Sequence, residues 1–460
     1  MDGSFFSDLL ASIAERGRSV LKLTAWPRDA DNAAGSLVEM CSALLTGRGE
    51  ASGVALASEI LVRYRDLSDA DKGAFFRALA DDFGPDRRRV EDAVSRFVAT
   101  GGGSAASEIH YASEPRRQEL FRRLNRAPGG TAALVAMRAD LLDAMRGDRG
   151  LAIVDRDFQH LFGSWFNRGF LVLRRIDWSS PAAILEKIIR YEAVHEIRDW
   201  DELRRRIDPT DRRCYAFFHP ALVDEPLIFV EVALTVDPPA AIAPLLAERR
   251  PHVGQNKARA ATFYSISNCQ QGLTSVTFGN FLIKQVVEEI RRELPRIETF
   301  VTLSPIPGLR AWVEACDDPG IDRLAKAVRE AALDERWPVK PETAARLRMA
   351  LEPLAAYYFL KARRDDGRVI DPVARFHLGN GARLERINWM GDLSPKGVGE
   401  SYGLMVNYLY DLAEIERNHE AYANERAVVA SSTVKRVLPS ARSSRPSAAG
   451  AKGLSRVRTG

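Results

Sequence analysis

The sequence predicts an α+β protein in which an all-helical N-terminal region, residues 1–160, precedes a larger mixed domain, residues 161–428. Two observations support this division. Apolar residues recur at helical spacing in the first region, whereas short runs of branched and aromatic residues alternate with long helical patterns in the second. A chain of 460 residues that is 46% apolar and 28% charged has the length and composition of a globular protein with two or three domains.

The N-terminal region contains clear signals for helix ends. Apolar residues follow a helical repeat within residues 52–67, and Ser68 then has the character of an N-cap, with Asp71 at the capping-box position. A further helical pattern ends at the glycine-rich residues 101–104. No group of residues typical of a catalytic site occurs here. We therefore expect a helical bundle whose role is support or oligomerisation.

The mixed domain is predicted to alternate strands with helices. Ser180 and Pro181 are expected to begin its first helix as N-cap and first helical residue. The strand candidates, rich in branched and aromatic residues, are 170–176, 214–218, 227–234, 262–267 and 300–303. Longer helical patterns cover 281–294, 321–333 and 342–363. Strands mixed with helices in this way indicate an α/β or α+β domain.

The net charge of +4 comes from the C-terminal end of the chain. Residues 431–460 contain seven Lys and Arg and no acid, so the rest of the chain carries a net charge of −3. After residue 425 the sequence loses aromatic residues and gains Ser, Ala, Pro and Arg, which predicts a basic disordered tail, residues 429–460. The folded part is therefore not expected to bind nucleic acid.

Several classes of site and location are not indicated. The four cysteines form no C-x-x-C pair, and the seven histidines form neither H-x-H nor H-E-x-x-H, so we expect a reducing compartment and no metal site. No run of about 18 apolar residues is present, so no membrane span is expected. The N-terminus lacks the pattern of a secretory signal. Together with the richness in Arg and Ala, this favours a bacterial cytoplasmic location.

One histidine stands at the centre of the most informative stretch. His377 lies between apolar neighbours, and Asn380 and Gly381 follow it with the residue types of a tight turn. We expect His377 at the end of a buried element, aimed by that turn, which suits a general acid or base. The alternative is a histidine that merely satisfies its hydrogen bonds in the core.

The stretch FHLGNGARLERINWMGDLSPKG (376–397), followed by GLMVNYLYDL (403–412), resembles the C-terminal part of the malonyl-CoA decarboxylase family. Further similar stretches are YSISNCQQGL (264–273), FGNFLIKQVVEEI (278–290) and LSPIPG (303–308). The resemblance covers residues 165–412 in order. It implies a GNAT-like acyl-CoA-binding catalytic domain, conversion of malonyl-CoA to acetyl-CoA and CO2, and a homo-oligomer, dimer or tetramer.

The resemblance implies two catalytic residues. His377 takes the position of the family's proton donor, and Ser304 that of its catalytic serine. The predicted strand 300–303 ends at a Pro-x-Pro-Gly corner, which places Ser304 at a strand end. The alternative for Ser304 is a cap of the helix predicted at 309–316. A nucleophile–base pair is less favoured, because no G-x-S-x-G occurs and Pro305 lacks the backbone N–H of an oxyanion hole.

Substrate binding is assigned to a strand–loop–helix unit. The predicted strand 262–267 leads through a loop to a helix whose first N–H groups suit a phosphate. The family has a glutamate in this loop in some members, at the position of Thr277. Ser265 and Tyr410 match pocket-lining positions of the family. The resemblance places further malonyl-CoA contacts at Thr274, Ser275, Val276, Thr277, Phe278, Gly279 and Asn280.

Decarboxylation of a malonyl thioester needs no metal or organic cofactor, so none is expected. Two other functions stay open on the sequence alone. An acyl-CoA-dependent acyltransferase would turn over only with an acceptor amine. A non-catalytic acyl-CoA sensor would bind the thioester without turnover.

Overall fold

The computed structural model describes residues 12, 32–46, 49–276 and 282–439. The chain divides into two compact units. The N-terminal unit comprises residues 1–239 and 244–302, and the C-terminal unit comprises residues 240–243 and 303–460. Each is considered by itself below.

The described residues of the N-terminal unit up to residue 165 form helices, as the sequence predicted. Ser68 caps the third of them by accepting a hydrogen bond from the Asp71 backbone N–H at 3.2 Å. The helices are α1 (Ala33–Leu45), α2 (Glu50–Arg65), α3 (Asp69–Asp81), α4 (Arg87–Thr100), α5 (Gly103–Ala112), α6 (Arg116–Leu124), α7 (Gly130–Ala144) and α8 (Ala152–Trp165).

Aromatic contacts and buried ion pairs hold these helices together. The Phe121 and Phe158 rings stack at 4.1 Å between centroids, joining α6 to α8. Two arginines, each 1% exposed, pair with aspartates of α8: Arg117 with Asp157, and Arg138 with Asp155. Burying a guanidinium away from water requires such a partner. Loss of either aspartate would leave an uncompensated charge inside the bundle.

A mixed sheet follows in the same unit. Strands β1 to β4 are joined in order by antiparallel pairing, and β4 pairs with β5 in parallel. The strands are β1 (Val172–Ile176), β2 (Arg212–Phe218), β3 (Pro226–Thr235), β4 (Ala260–Asn268) and β5 (Thr299–Thr302). The accompanying helices are α9 (Ala182–Tyr191), α10 (Trp200–Ile207), α11 (Ala243–Leu246) and α12 (Leu282–Glu293).

The predicted fold class is confirmed, because a helical N-terminal region precedes a mixed sheet domain. The apolar face of the sheet buries Cys214, Ala216 and Phe229 against Ile184 and Leu203 of α9 and α10. The predicted cap of α9 is wrong. Pro181 is the N-cap, and the Ser180 hydroxyl instead accepts a hydrogen bond from the backbone of the preceding turn.

The described residues of the C-terminal unit form three short strands, and β8 pairs with both β6 and β7. They are β6 (Ser304–Pro305), β7 (Arg383–Asn388) and β8 (Met405–Leu409). The helices are α13 (Leu309–Glu314), α14 (Asp322–Ala332), α15 (Pro341–Leu360), α16 (Pro372–Gly379), α17 (Pro395–Ser401), α18 (Ile415–Glu425) and α19 (Ser432–Arg436).

The beginning of the predicted tail is folded. Ala430 forms a β-bridge with Leu384, and Val434 of α19 is 1% exposed. The Ser431 hydroxyl donates to the Glu385 carbonyl at 2.6 Å. The expectation of disorder is therefore wrong for residues 429–439, because an apolar side chain and a backbone pairing anchor them. Residues 440–460 lie outside the described part of the chain.

Candidate active site

His377 lies in the last turn of α16, at the end of a buried element as the sequence predicted. Asp371 caps the helix and Pro372 occupies its first position. Gly381 ends the turn with φ of 82°, and a Cβ there would lie 2.2 Å from the Ile415 carbonyl oxygen. Only glycine fits this close approach, so the turn after His377 requires glycine at this position.

Both ring nitrogens of His377 have hydroxyl partners. Nε2 is 3.1 Å from Ser304 Oγ, and Nδ1 is 2.8 Å from the Tyr410 hydroxyl oxygen. The Tyr408 ring stacks on the imidazole at 4.6 Å between centroids. Ser304, His377 and Tyr410 are 5%, 2% and 1% exposed. The structure thus brings together three of the predicted site residues in one buried row.

Burial determines the protonation states of His377 and Tyr410. It lowers the pKa of His377 from 6.5 to about 3, so the imidazole is neutral near pH 7. It also raises the pKa of Tyr410 well above its usual range, which keeps the phenol protonated. A neutral imidazole carries one proton, on either nitrogen, and the hydroxyl partners decide which tautomer is favoured.

Ser304 is held by strand pairing. It lies in β6 opposite Val406 of β8, and Pro305 follows it in the same strand. The alternative role as a helix cap is wrong, because the N-cap of α13 is Gly308. The serine hydroxyl is directed to His377 instead.

Asp371, the N-cap of the histidine helix, is 1% exposed. Its carboxylate accepts a hydrogen bond from the backbone N–H of Ala374 at 2.8 Å. Burial raises the pKa of this carboxyl to about 6. Sequence reasoning missed this residue, although an Asp directly before a Pro is a recognisable helix start.

Ser265 has its partners within the N-terminal unit. It is 1% exposed on β4 and donates its hydroxyl hydrogen to the Glu192 carboxylate, whose oxygens lie 2.7 and 2.8 Å away. Ser267 contacts the same carboxylate at 3.2 Å. Sequence reasoning did not single out Glu192. A substrate contact for Ser265 stays a prediction.

The proposed malonyl-CoA loop is described in part. Residues 271–273 form one 3-10 turn, Ser275 adopts φ of 65°, and Val276 is buried. The predicted contacts at Thr277, Phe278, Gly279 and Asn280 lie outside the described residues. Substrate binding by Thr274, Ser275 and Val276 stays a prediction.

The described ranges contain neither a cluster of metal-ligating side chains nor a membrane-spanning helix. His, Cys, Asp and Glu side chains there nowhere gather in threes around a space suited to a metal ion. Every helix in that part of the chain is too short or too polar to traverse a bilayer.

Comparisons with known proteins agree on one family. The malonyl-CoA decarboxylase C-terminal domain model matches residues 169–448, and the N-terminal domain model matches residues 83–166. The mitochondrial malonyl-CoA decarboxylase of Anser anser anser is 35% identical over 415 residues, 82% of each chain.

Solved structures extend the similarity. The crystal structure of malonyl-CoA decarboxylase from Rhodopseudomonas palustris is 55% identical, with a TM-score of 0.83 over 88% of this chain and 99% of that one. That from Agrobacterium vitis is 52% identical, with the same TM-score and coverage.

Proposed function

Since the chain belongs to the malonyl-CoA decarboxylase family, we propose that it is a carboxy-lyase that converts malonyl-CoA to acetyl-CoA and CO2. The observation that supports this activity in the site is the buried row Ser304–His377–Tyr410, in which a neutral imidazole lies between two hydroxyl groups. We also propose a homo-oligomer and a cytoplasmic location.

The reaction requires one bond to break and one to form. The bond between the malonyl carboxylate carbon and the α-carbon breaks, CO2 leaves, and the electron pair remains as a thioester enolate. A proton then adds to the α-carbon and gives acetyl-CoA. The net reaction consumes one proton, and we propose that the protein's own residues manage it without a metal or organic cofactor.

His377 is the proposed proton donor to the α-carbon. A donor at Nε2 requires the tautomer with hydrogen on that nitrogen, so Nδ1 accepts from the Tyr410 hydroxyl. The neutral ring is a sufficient acid because a thioester enolate is a strong base. The Nε2 proton moves to the α-carbon while the Tyr410 hydroxyl, which stays protonated, donates to Nδ1 and stabilises the ring anion that forms. Nε2 takes up one proton from solvent after product release, which restores the starting tautomer and accounts for the proton that the net reaction consumes.

Ser304 is the proposed orienting group for the malonyl carboxylate. In this tautomer its oxygen accepts the Nε2 hydrogen, and its own hydroxyl hydrogen is the proposed donor to a carboxylate oxygen of the substrate. A nucleophilic role would instead require Nε2 to accept. It would also lack an oxyanion donor at the next residue, since Pro305 has no backbone N–H.

The test is a direct conversion assay. Purified protein is mixed with malonyl-CoA and EDTA, without an acceptor amine, and acetyl-CoA is measured by mass spectrometry. Conversion in EDTA is the expected result. Conversion that needs an added amine would indicate the acyltransferase, and binding without any turnover would indicate the acyl-CoA sensor; either result contradicts the proposal.

Variants assign the proton donor. We expect His377→Gln to lower kcat by at least about 10²-fold with KM nearly unchanged, because the proton is transferred only in the transition state. The exposed His110 on α5 supplies the control variant His110→Gln, which should retain full activity. An unchanged kcat in His377→Gln would refute this role.

A further inference from the structure

We propose that Arg138, in the helical region, is a positioning residue for acyl-CoA binding. It holds the main chain at residues 272–274, where the proposed malonyl-CoA loop begins. This inference rests on the proposed function and extends it, because it gives the helical region a direct part in substrate affinity.

The contacts of Arg138 reach from helix α7 to this loop. Its Nη1 donates to the carbonyl oxygens of Gly272 at 2.7 Å and Thr274 at 2.9 Å. Its Nε donates to Asp155 at 2.8 Å, and Gln159 donates to the other oxygen of that carboxylate at 2.5 Å. The guanidinium is 1% exposed. A rigid, buried fork with a fixed counter-ion therefore determines where both carbonyls lie.

The close packing of Gly272 is a second, independent observation. A Cβ added at this residue would lie 1.8 Å from the Val135 carbonyl oxygen of α7. No side chain fits there, so the loop main chain lies directly against the helix. Gln271 adds a side-chain bond to Asp143 of the same helix, at 3.2 Å. Contacts with helix α7 thus fix the position of the main chain at the start of the loop.

The turn transmits this placement to the next residues. The Thr274 hydroxyl and backbone N–H both donate to the Gln271 carbonyl, at 2.7 and 3.0 Å. The Val276 N–H donates to the Leu273 carbonyl at 3.0 Å. Each of these bonds links residues only three positions apart. The placement of residues 271–273 therefore determines the placement of residues 274–276. Thr274, Ser275 and Val276 are the described part of the predicted substrate contacts.

The helical region contains a matched pair for a test. Arg117 is also 1% exposed, pairs with Asp157 of the same helix α8, and donates to the carbonyls of Leu79 and Ala80. Gln118 supports Asp157 as Gln159 supports Asp155. The two sites differ in the carbonyl groups that the arginine binds. Arg117 binds carbonyls of the helical region, whereas Arg138 binds carbonyls of the loop.

The experiment compares Arg138→Lys with Arg117→Lys. A lysine keeps the charge but cannot serve the aspartate and both carbonyls together. We expect Arg138→Lys to raise the Kd for acetyl-CoA, measured by calorimetry, and the KM for malonyl-CoA by about tenfold, with a smaller change in kcat. Tenfold corresponds to about 1.4 kcal/mol, which is close to what one intramolecular hydrogen bond contributes. Hydrogen exchange at 271–276 should accelerate in this variant and not in Arg117→Lys.

A glycine pair repeats the test without changing a charge. Gly272→Ala should raise the same Kd, whereas Gly73→Ala, where an added Cβ meets nothing within 4 Å, should not. If Arg138→Lys does not fold, this glycine pair tests the inference in its place. Equal effects of the two arginine variants, or an unchanged Kd in Gly272→Ala, overturn the inference. Wild-type protein that binds acetyl-CoA without decarboxylating malonyl-CoA contradicts the proposed function alone, and the Kd comparisons still test Arg138.

Discussion

The neutral state of His377 predicts a specific acid sensitivity of the fold. Burial lowers the pKa of this imidazole from 6.5 to about 3, whereas the unfolded chain retains the ordinary value. Between these two values the unfolded state binds a proton that the folded state does not. The free energy of unfolding therefore falls as pH decreases below 6.5, by about 1.4 kcal/mol per pH unit. Above about pH 7.5 this group causes no loss of stability.

The size of the effect follows from the same numbers. A difference of about 3.5 pH units corresponds to a full loss of about 5 kcal/mol, which is reached only well below pH 3, and at pH 5 the loss from this one group is about 2 kcal/mol. The perturbation is His377→Gln, which removes the titrating group. We expect the variant to lose about 2 kcal/mol less than the wild type between pH 7.5 and pH 5, measured by urea unfolding at each pH.

A control separates this contribution from that of other groups. The exposed His110 on α5 is replaced in His110→Gln, whose loss between the two pH values should equal that of the wild type. Nitrogen NMR of labelled histidine, assigned with His377→Gln, checks the state directly and should show a neutral ring at pH 5. A His377 signal that titrates near pH 6.5, or equal acid sensitivity in His377→Gln and wild type, would refute the reasoning.

Three further predictions concern residues around the site. Tyr410→Phe removes the donor to Nδ1 and should lower kcat by about 10- to 100-fold with little change in KM, which steady-state kinetics will check. Burial raises the pKa of Asp371 from 3.8 to about 6, so its ionisation lowers the unfolding free energy of the wild type by about 2 kcal/mol as pH rises from 4 to 6. Asp371→Asn should abolish that fall in urea unfolding, and an unaltered pH dependence would contradict it. Removal of residues 440–460 should leave activity and Tm unchanged, whereas removal of 431–460 exposes the site of Val434 and should lower Tm; equal Tm values would show that α19 contributes nothing.

Much of the secondary structure was predictable because its signals are local. The helix start at Ser68, the five strands of the sheet and the turn after His377 each depend on residues within a few positions of one another. The predicted cap at Ser180 was wrong because its hydroxyl could accept from the following helix or from the preceding turn. In the structure it accepts from the Asp177 N–H of that turn. The helix at 432–436 was missed because composition does not reveal the burial of a single valine.

The sequence by itself determined the fold class, the position of His377 before a glycine turn and, through several separated motifs, the family. Tertiary structure alone decided the partners of that histidine, which lie 73 residues before it and 33 residues after it. It also decided the neutral charge of the ring and the contact of Arg138 with a loop 134 residues away. The physical reason is that local propensity acts along the chain, whereas burial and hydrogen bonding between distant residues exist only once the chain has packed.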